Sequence, residues 1–246
     1  EDEGVSESIS GIGNVTLGLK YKISDKNWKI SSGLLFSAPA GNDLLFDDKL
    51  CEQGRNFTNK VWNAYRLGSS WEVRDIEQPL SSKVAIEWFE NRFQKVLTEI
   101  NDQFDKFRIS DALMAIYKLV WDDFCAWYLE MIKPAYQHPI DQATYDRTIQ
   151  IFEKILKILH PFMPFITEEL WHQIKERSVA ESLILASWPA TKSFEPKIIE
   201  EAAQVFEVVS QVRNLRASKG MSPKEALDLT INAKNQGLYS SFASVL

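Results

Sequence analysis

The amino-acid sequence predicts a mainly α protein, built as a helical bundle with short flanking strands. Apolar residues recur at spacings of three and four along five or six segments of the chain, which is the period of an amphipathic helix. Short connections that contain proline or glycine separate these segments, as between neighbouring helices of a bundle. The composition, with 45% apolar and 12% aromatic residues, is typical of a globular protein and excludes wholesale disorder.

Each predicted helix has an apolar face, and most have a residue that ends them. The faces occupy residues 50–68, 89–107, 110–131, 145–159, 164–175 and 198–215. Ser110 is a candidate N-cap of the third helix, which Pro134 ends. Pro161 closes the fourth helix, and Gly220 is a candidate C′ residue after the sixth.

Strand-like alternation flanks and interrupts the helices. Alternating or short apolar runs predict strands at residues 15–23, 182–185 and 227–231, and turn-forming residues predict a loop over 33–47.

These patterns divide the chain into three regions. They are a connecting region at 1–47, a helical bundle at 48–220, and the start of a C-terminal α/β segment at 221–246. Because the first residue is Glu1 rather than Met, we expect the chain to be a piece of a longer protein.

The charged residues are unevenly distributed. The net charge of −6, from 28 basic and 34 acidic residues, taken alone argues against a nucleic-acid-binding protein. Two stretches nevertheless contain no acidic residue, and we call residues 53–71 the first basic island and residues 208–224 the second. They carry +3 and +4, so the rest of the chain carries −13. Such segregation suits a surface that binds a polyanion.

The first island predicts a helix face rich in hydrogen-bond donors. Its polar members are Arg55, Lys60 and Arg66 with Asn56, Asn59 and Asn63, and it ends at an exposed Trp71. The cations of the second island are Arg213, Arg216, Lys219 and Lys224. Chance also produces acid-free windows. On charge alone, an ordinary solvated helix face is therefore favoured over a surface that binds nucleic acid.

No constellation of residues for catalysis or metal binding stands out. The three histidines, His138, His160 and His172, have spacings that match no zinc site, and no glycine-rich phosphate loop is present. No apolar run is long enough to cross a membrane. Two cysteines cannot form a disulfide scaffold, which favours a reducing compartment such as the cytoplasm.

The remaining reactive residue types are expected to be structural or solvated. Cys125 lies on an aromatic helix face, which predicts a buried thiol rather than a nucleophile. The pairs Asp122-Asp123 and Glu168-Glu169 are expected to be solvated, because adjacent residues on a helix point to different sides.

Several ordered motifs resemble one family. Residues 160–171, His-Pro-Phe-Met-Pro-Phe-Ile-Thr-Glu-Glu-Leu-Trp, are similar to a signature of the anticodon-binding bundle in class I aminoacyl-tRNA synthetases of the branched-aliphatic subgroup. Within that subgroup, residues 120–134, with the run Phe-Cys-Ala-Trp-Tyr-Leu-Glu, resemble valyl-tRNA synthetases. Shorter similarities to the same family lie at residues 40–47, 54–64, 212–216 and 222–223.

Residues 1–32 depart from the family pattern. The run Lys22-Ile23-Ser24-Asp25-Lys26 is only a degenerate form of the family's Lys-Met-Ser-Lys-Ser loop, and His-Ile-Gly-His is absent. The resemblance therefore implies that the chain is part of a ligase but is itself inactive. It implies no catalytic residue, metal or cofactor in this chain, since ATP and Mg²⁺ would act in the parent catalytic domain.

The resemblance implies that the bundle recognises the anticodon of the tRNA for valine, while the parent enzyme attaches valine with ATP. Unpaired bases are read by stacking and by hydrogen bonds to their edges. Arg55 matches a family position near the anticodon, and Trp71 is the stacking candidate. The further candidate contacts are Asn59, Lys60, Arg66, Lys133 and Tyr136, and in the second island Arg213, Arg216 and Lys219.

Two alternatives stay open. The same bundle occurs in isoleucyl, leucyl and methionyl enzymes, which read other anticodons. A helical protein-interaction module without an RNA partner would also fit the apolar faces. Under the preferred interpretation we expect a monomeric, cytoplasmic protein with no membrane partner.

Overall fold

The computed structural model describes residues 48–222 and two short strands, β1 (Val15–Thr16) and β2 (Ser37–Ala38). The two strands pair antiparallel, with Val15 opposite Ala38. The strand expected around Val15 is thus present, whereas Ser37 and Ala38, expected in a loop, form its partner. The expected strand at 227–231 and the motif at 40–47 lie outside the described residues.

The described part of the chain is a mainly α bundle of six helical rods. The rods are α1 (Asp48–Ser69), α2 (Leu80–Asp105), a composite third rod, α5 (Gln142–Leu159), α6 (Pro164–Ile174) and α7 (Pro196–Ser218). The third rod consists of α3 (Ile109–Lys118), a π-helix (Leu119–Tyr128) and α4 (Leu129–Ile132). The predicted fold class is therefore confirmed.

The third rod differs from its prediction at its start and in its middle. Its first helical residue is Ile109, and Arg108 rather than Ser110 occupies the N-cap position. The Arg108 side chain instead donates to Asp111 Oδ2 at 2.6 Å, which anchors the first turn. The π-helix was not anticipated, because an apolar face with spacings of three and four does not reveal an i→i+5 segment.

The aromatic residues form the core that the sequence predicted. Phe89 packs against Phe124 and Tyr128, with ring centroids 5.5 and 5.0 Å apart. The buried Tyr128 hydroxyl pairs with Thr148 Oγ1 at 2.8 Å, so its polar atom is satisfied. Phe152 of α5 stacks on Phe124, which joins α2, the third rod and α5 in one core.

Two short strands fix which connections lie at the same end of the bundle. Strand β3 (Val73–Arg74) follows α1, and β4 (Ile140–Asp141) precedes α5. They pair in parallel, with Val73 opposite Ile140. The connections 70–79 and 133–139 therefore lie at one end of the bundle, which we call the loop end.

Helix α7 also points toward the loop end. The backbone N–H of Glu195, just before α7, donates to Asn91 Oδ1 at 2.6 Å. Further along, the Phe206 ring lies 4.9 Å from that of Trp88. Because this contact is nearer the start of α2, α7 runs toward Leu80 and its C-terminus approaches the loop end.

The end of α7 follows the prediction. Gly220 has φ +66°, the left-handed conformation that glycine adopts without strain. Its N–H donates to the Ala217 carbonyl at 3.1 Å, and the Met221 N–H donates to the Arg216 carbonyl at 3.0 Å. These two bonds form a Schellman motif, which satisfies carbonyls at the helix end.

The strand predicted at 182–185 is wrong. Residues Leu183–Leu185 form a single 3₁₀ turn, and Leu183 is buried against the core. The Leu183 N–H donates to both carboxylate oxygens of Glu168 at 3.0 Å, so it is not available to a strand partner. A four-residue apolar run does not distinguish these outcomes.

Candidate nucleic-acid interface

The first basic island lies mostly on α1, as its periodicity predicted. Phe57 and Val61 are fully buried, and they attach α1 to the core. Asn56, Asn59 and Asn63 are exposed along the outer face. The helix therefore presents carboxamide groups to solvent, and these can donate to the edges of unpaired bases.

Arg55 lies on this outer face in a weak ion pair. Its Nη2 is 3.1 Å from Glu52 Oε1, and the two side chains are 65% and 60% exposed. Glu52 stands one residue before the acid-free window, which is why this pair was not predicted. Because exposed pairs of this kind contribute at most about 1 kcal/mol, a nucleic-acid ligand can displace the glutamate at little cost.

Lys60 is partly engaged with the core. Its Nζ lies 5.3 Å from the centre of the Trp121 ring, and that ring stacks on Tyr117 at 5.6 Å. A cation–π contact of this kind is worth about 0.5–1 kcal/mol at a partly exposed site. Lys60 therefore retains its charge near the surface but has less freedom than an unconstrained lysine.

Arg66 is an exposed cation at the C-terminal end of α1. It lies in the last turn of the helix, where the partial negative charge of the helix dipole favours a cation. Within residues 48–222 it forms no ion pair. It is thus the member of the first island whose charge is least compensated.

Trp71 is less exposed than expected. Its ring is half-buried and packs against the hydrophobic core, and its backbone N–H donates to the Gly68 carbonyl at 3.2 Å. The pairing of β3 with β4, which begins two residues later, draws this segment back onto the bundle. Only one part of the indole is therefore available to stack on a base.

The connection 133–139 carries the other candidates at the loop end. Tyr136 is 88% exposed, and Gln137 has φ +62°. The Tyr136 carbonyl lies 3.0 Å from His138 Nδ1, which shapes the turn. Lys133 pairs loosely with Glu130 at 3.4 Å, and both side chains are about half exposed. An exposed tyrosine and a lysine in one short connection suit a stacked, negatively charged ligand.

The structure brings some candidates together and keeps others apart. The pairing of β3 with β4 places Arg66, Trp71, Lys133 and Tyr136 at the loop end. Arg55 precedes Ser69, the last residue of α1, by fourteen residues, a separation of about 21 Å along the helix axis. Arg55 and Trp71 therefore cannot contact the same nucleotide.

The second island lies on α7 and is more constrained. The Arg213 guanidinium lies 5.2 Å from the centre of the Trp127 ring. Arg216 donates from Nη1 to the Ser222 carbonyl at 3.0 Å, so it helps to hold the chain after the helix. Lys219 is exposed at the C-cap position, and Lys224 lies outside the described residues.

The two islands do not form one continuous basic surface. Lys60 approaches Trp121 and Arg213 approaches Trp127, and both tryptophans belong to the π-helix. Six residues along such a helix separate the two rings by roughly a third of a turn. The exposed Asp122 and Ala126 lie on the strip between them. A carboxylate therefore interrupts the positive potential.

The acidic pairs are less solvated than expected. Asp123 accepts from Arg92 Nε at 2.8 Å, with the carboxylate side chain 16% exposed, and burial raises the pKa of Asp123 despite the nearby guanidinium. Glu168 accepts the two bonds from Leu183 N–H, and His172 Nε2 lies 3.1 Å away. One member of each pair, Asp123 or Glu168, thus forms hydrogen bonds within the bundle, as a buried polar group requires.

The thiol of Cys125 is buried, as predicted. Burial raises the pKa of Cys125 to about 12, so the thiolate that a nucleophile needs is scarce at neutral pH. Among the residues that the structure describes, no group of three or more His, Cys, Asp or Glu could hold a metal ion. Over the same residues, no helix is both long and apolar enough to span a membrane.

A third cationic group, formed by Arg147, Lys154 and Lys192 in a groove with Glu90, was not predicted from the sequence. These residues are far apart along the chain and are interleaved with acidic residues, so no acid-free window marks them. Their juxtaposition depends on the packing of α2 against α5.

Comparison with known proteins agrees with this geometry. A family model described as the anticodon-binding domain of tRNA ligase matches residues 87–231. A valine–tRNA ligase of Christiangramia forsetii is 51% identical over 215 residues, and one of Phocaeicola vulgatus is 52% identical over 206. A more distant valine–tRNA ligase, from Fusobacterium nucleatum, is 32% identical over 219 residues.

These alignments cover most of this chain and a small part of each relative. They span 87% of the chain for the first relative and 84% for the other two. The chain spans only about a quarter of the length of these curated relatives, 24% in each case. Because the family model covers more than half of the chain and agrees with the helical bundle, the chain belongs to the anticodon-binding domain family of tRNA ligases.

Proposed function

We propose that this protein is the anticodon-recognising part of a valine–tRNA ligase and that it binds the tRNA for valine. The observation that carries the proposal is the agreement between the family match and the relatives. An anticodon-binding domain is matched over residues 87–231, and relatives at 51% and 52% identity are valine–tRNA ligases.

The distribution of donors on the bundle supports a division of roles. At the loop end, Tyr136 and the exposed part of Trp71 stack on unpaired bases, and Arg66 and Lys133 contact phosphates. Along α1, Arg55, Asn59 and Lys60 contact the adjoining nucleotides, with Arg55 exchanging Glu52 for a base edge or phosphate. Arg213, Arg216 and Lys219 add a weaker, separate contact on α7.

Valine activation belongs to the rest of the ligase under this proposal. The isolated chain is expected to show no valine-dependent exchange of pyrophosphate into ATP, because it contains neither the His-Ile-Gly-His nor the Lys-Met-Ser-Lys-Ser motif. Exchange by the purified chain above a heat-inactivated control would contradict this expectation.

The binding experiment compares Arg55→Ala with Arg108→Ala. Both arginines are exposed and pair with an acid three residues away, at 3.1 Å for Arg55 and 2.6 Å for Arg108, but only Arg55 lies in a basic island. We expect Arg55→Ala to weaken binding of a valine anticodon stem-loop by about 1–3 kcal/mol in fluorescence anisotropy. Arg108→Ala should leave the affinity unchanged. Equal affinities for both variants would remove Arg55 from the interface.

A second comparison tests the identity of the RNA. At fixed ionic strength, the valine stem-loop should bind more tightly than stem-loops with isoleucine, leucine or methionine anticodons. Preference for one of the other three would assign the bundle to that sibling enzyme. If the protein binds none of the four stem-loops at low or at moderate salt, a protein-interaction module is favoured instead.

A further inference from the structure

The groove between α2 and α5 holds a cationic cluster that the anticodon proposal does not use. Arg147 Nη2 of α5 forms an ion pair with Glu90 Oε1 of α2. Lys154 Nζ, two turns further along α5, lies 3.7 Å from the same oxygen. Lys192, in the connection before α7, completes the lining of the groove. One carboxylate thus pairs with two cations in a groove that a third cation also lines.

The cations of this cluster are only partly compensated. Burial lowers the pKa of Lys154, and repulsion from Arg147 and Lys192 lowers it further, although Glu90 opposes both effects. The other acids nearby are engaged elsewhere: Asp146 accepts from Gln142, and Glu153 pairs with Arg177. An added anion would therefore relieve repulsion that Glu90 alone leaves in place.

The cluster surrounds a cavity rather than a flat surface. The groove encloses about 200 Å³, which is enough for a phosphate group, and Asn91, Gln94 and Ser193 complete its polar lining. Two of these side chains hold the lining in place. Gln94 Oε1 accepts from the Lys192 backbone N–H at 2.7 Å, and Asn91 Oδ1 accepts from that of Glu195 at 2.6 Å.

We infer that this groove is a binding site for a phosphate group, held by Arg147, Lys154 and Lys192 between α2, α5 and the connection before α7. A guanidinium and two ammonium groups around one cavity match the charge of a phosphate, which would replace Gln150 and Glu90 as the acceptors of the two Arg147 Nη atoms. The phosphate comes either from a small phosphate compound or from the backbone of a bound RNA. The inference does not depend on the anticodon proposal, because none of its residues belongs to that interface.

The test uses the full chain and inorganic phosphate as the probe. Phosphate is titrated against ¹⁵N-labelled protein at constant ionic strength, with chloride as the reference anion. We expect saturable shifts of the amide signals of Lys192 and Ser193 and of the Gln94 side chain. Lys192→Gln should weaken phosphate binding by about tenfold or more, as expected for the loss of a charge-assisted contact. Lys106→Gln, which removes an exposed lysine at the C-cap of α2 and outside the groove, should not.

The Glu90→Gln variant sharpens the test, because it predicts a gain. Removing the competing carboxylate should tighten phosphate binding several-fold, whereas a purely structural cluster would only lose stability. Lys192 forms no ion pair within residues 48–222, so its variant should fold. Shifts that chloride reproduces, or equal phosphate affinities for Lys192→Gln and Lys106→Gln, would overturn the inference.

A second experiment, which measures RNA binding by Lys192→Gln, distinguishes the two sources of the phosphate. If the source is RNA, Lys192→Gln should weaken binding of whole valine tRNA and leave the affinity for the short anticodon stem-loop unchanged. If the source is a small phosphate compound, the variant should lose phosphate binding while both RNA affinities stay the same.

Discussion

The two basic islands show the same pattern in the sequence but are used differently in the structure. In the first island, Arg55 and Arg66 are exposed on α1, whose inner face is fully buried. In the second, Arg213 lies over Trp127 and Arg216 bonds to the Ser222 carbonyl. The first island thus offers Arg66, which forms no ion pair within residues 48–222, on a firmly held helix, whereas the second uses Arg216 to hold the chain after its helix. An acid-free window predicts where a basic surface lies but not how much of it is available to a ligand.

The largest expected effect tests how firmly each helix is held. Phe57 of α1 is fully buried against Tyr117 and Trp121, with ring centroids 4.9 and 6.4 Å away. Phe206 of α7 stacks on Trp127 at 4.0 Å but is only half-buried. We expect Phe57→Ala to lower the free energy of unfolding by about 3–5 kcal/mol and Phe206→Ala by about 2 kcal/mol in urea denaturation. An equal or larger loss for Phe206→Ala would reverse the proposed difference.

The second prediction concerns Trp71, the aromatic end of the first island. Trp71→Ala should weaken binding of the valine anticodon stem-loop by about 1–3 kcal/mol, the cost of losing one stacked base. Because Trp71 also packs on the core, Trp62→Ala serves as the control for loss of packing, since Trp62 is a half-buried tryptophan on α1, the helix that precedes Trp71. Trp71→Phe should recover most of the affinity. If both Ala variants weaken binding equally, Trp71 acts through packing alone.

The contrast between Trp71 and the helix faces shows what the sequence can predict. Periodicity specifies burial on a helix directly, and the apolar faces predicted from spacing at 50–68, 89–107 and 145–159 contain Phe57, Phe89 and Phe152, which are buried. The exposure of Trp71 depends instead on β3 and β4, which pair across more than sixty residues of sequence and contain two residues each. Nothing in the local sequence encodes such a contact.

The candidate site, too, was predictable only where its residues are neighbours in the sequence. The islands were visible because their residues are neighbours in sequence. The engagement of Lys60 and Arg213 with Trp121 and Trp127 was not visible, because it depends on how α1 and α7 pack on the π-helix. The cluster around Glu90 was missed for the same reason, since its cations come from two segments of the chain.

The third prediction concerns how much each island contributes to the phosphate contacts with RNA, which the salt dependence of binding measures. We expect Arg66→Ala to reduce the slope of log K against log salt concentration by about 1 for valine tRNA, as for the loss of one phosphate contact. Arg213→Ala should reduce it by less than half as much, because Arg213 is held over Trp127. Arg108→Ala, outside both islands, should leave the slope unchanged. Equal reductions for Arg66→Ala and Arg213→Ala would show that both islands are equally available.

The smallest expected effects come from the glycines that lie near the ends of the two island helices. Gly68 is inside α1 and Gly220 follows α7, and a methyl group added at either position meets no atom within 4 Å. Only Gly220 has a positive φ, +66°. The two substitutions by alanine therefore differ in backbone conformation and not in available space.

The expected changes in stability have opposite signs. Gly68→Ala should raise the free energy of unfolding by about 0.5–1 kcal/mol, because alanine loses less backbone entropy in a helix. Gly220→Ala should lower it by about 1–2 kcal/mol, because an L-residue is strained in the left-handed region. Gly220→Ala should also weaken the bond from Arg216 to Ser222, since the Schellman motif positions residues 220–222 after the helix. Both changes are measured by urea denaturation, and equal stabilities of Gly220→Ala and the parent chain would contradict the expected backbone strain.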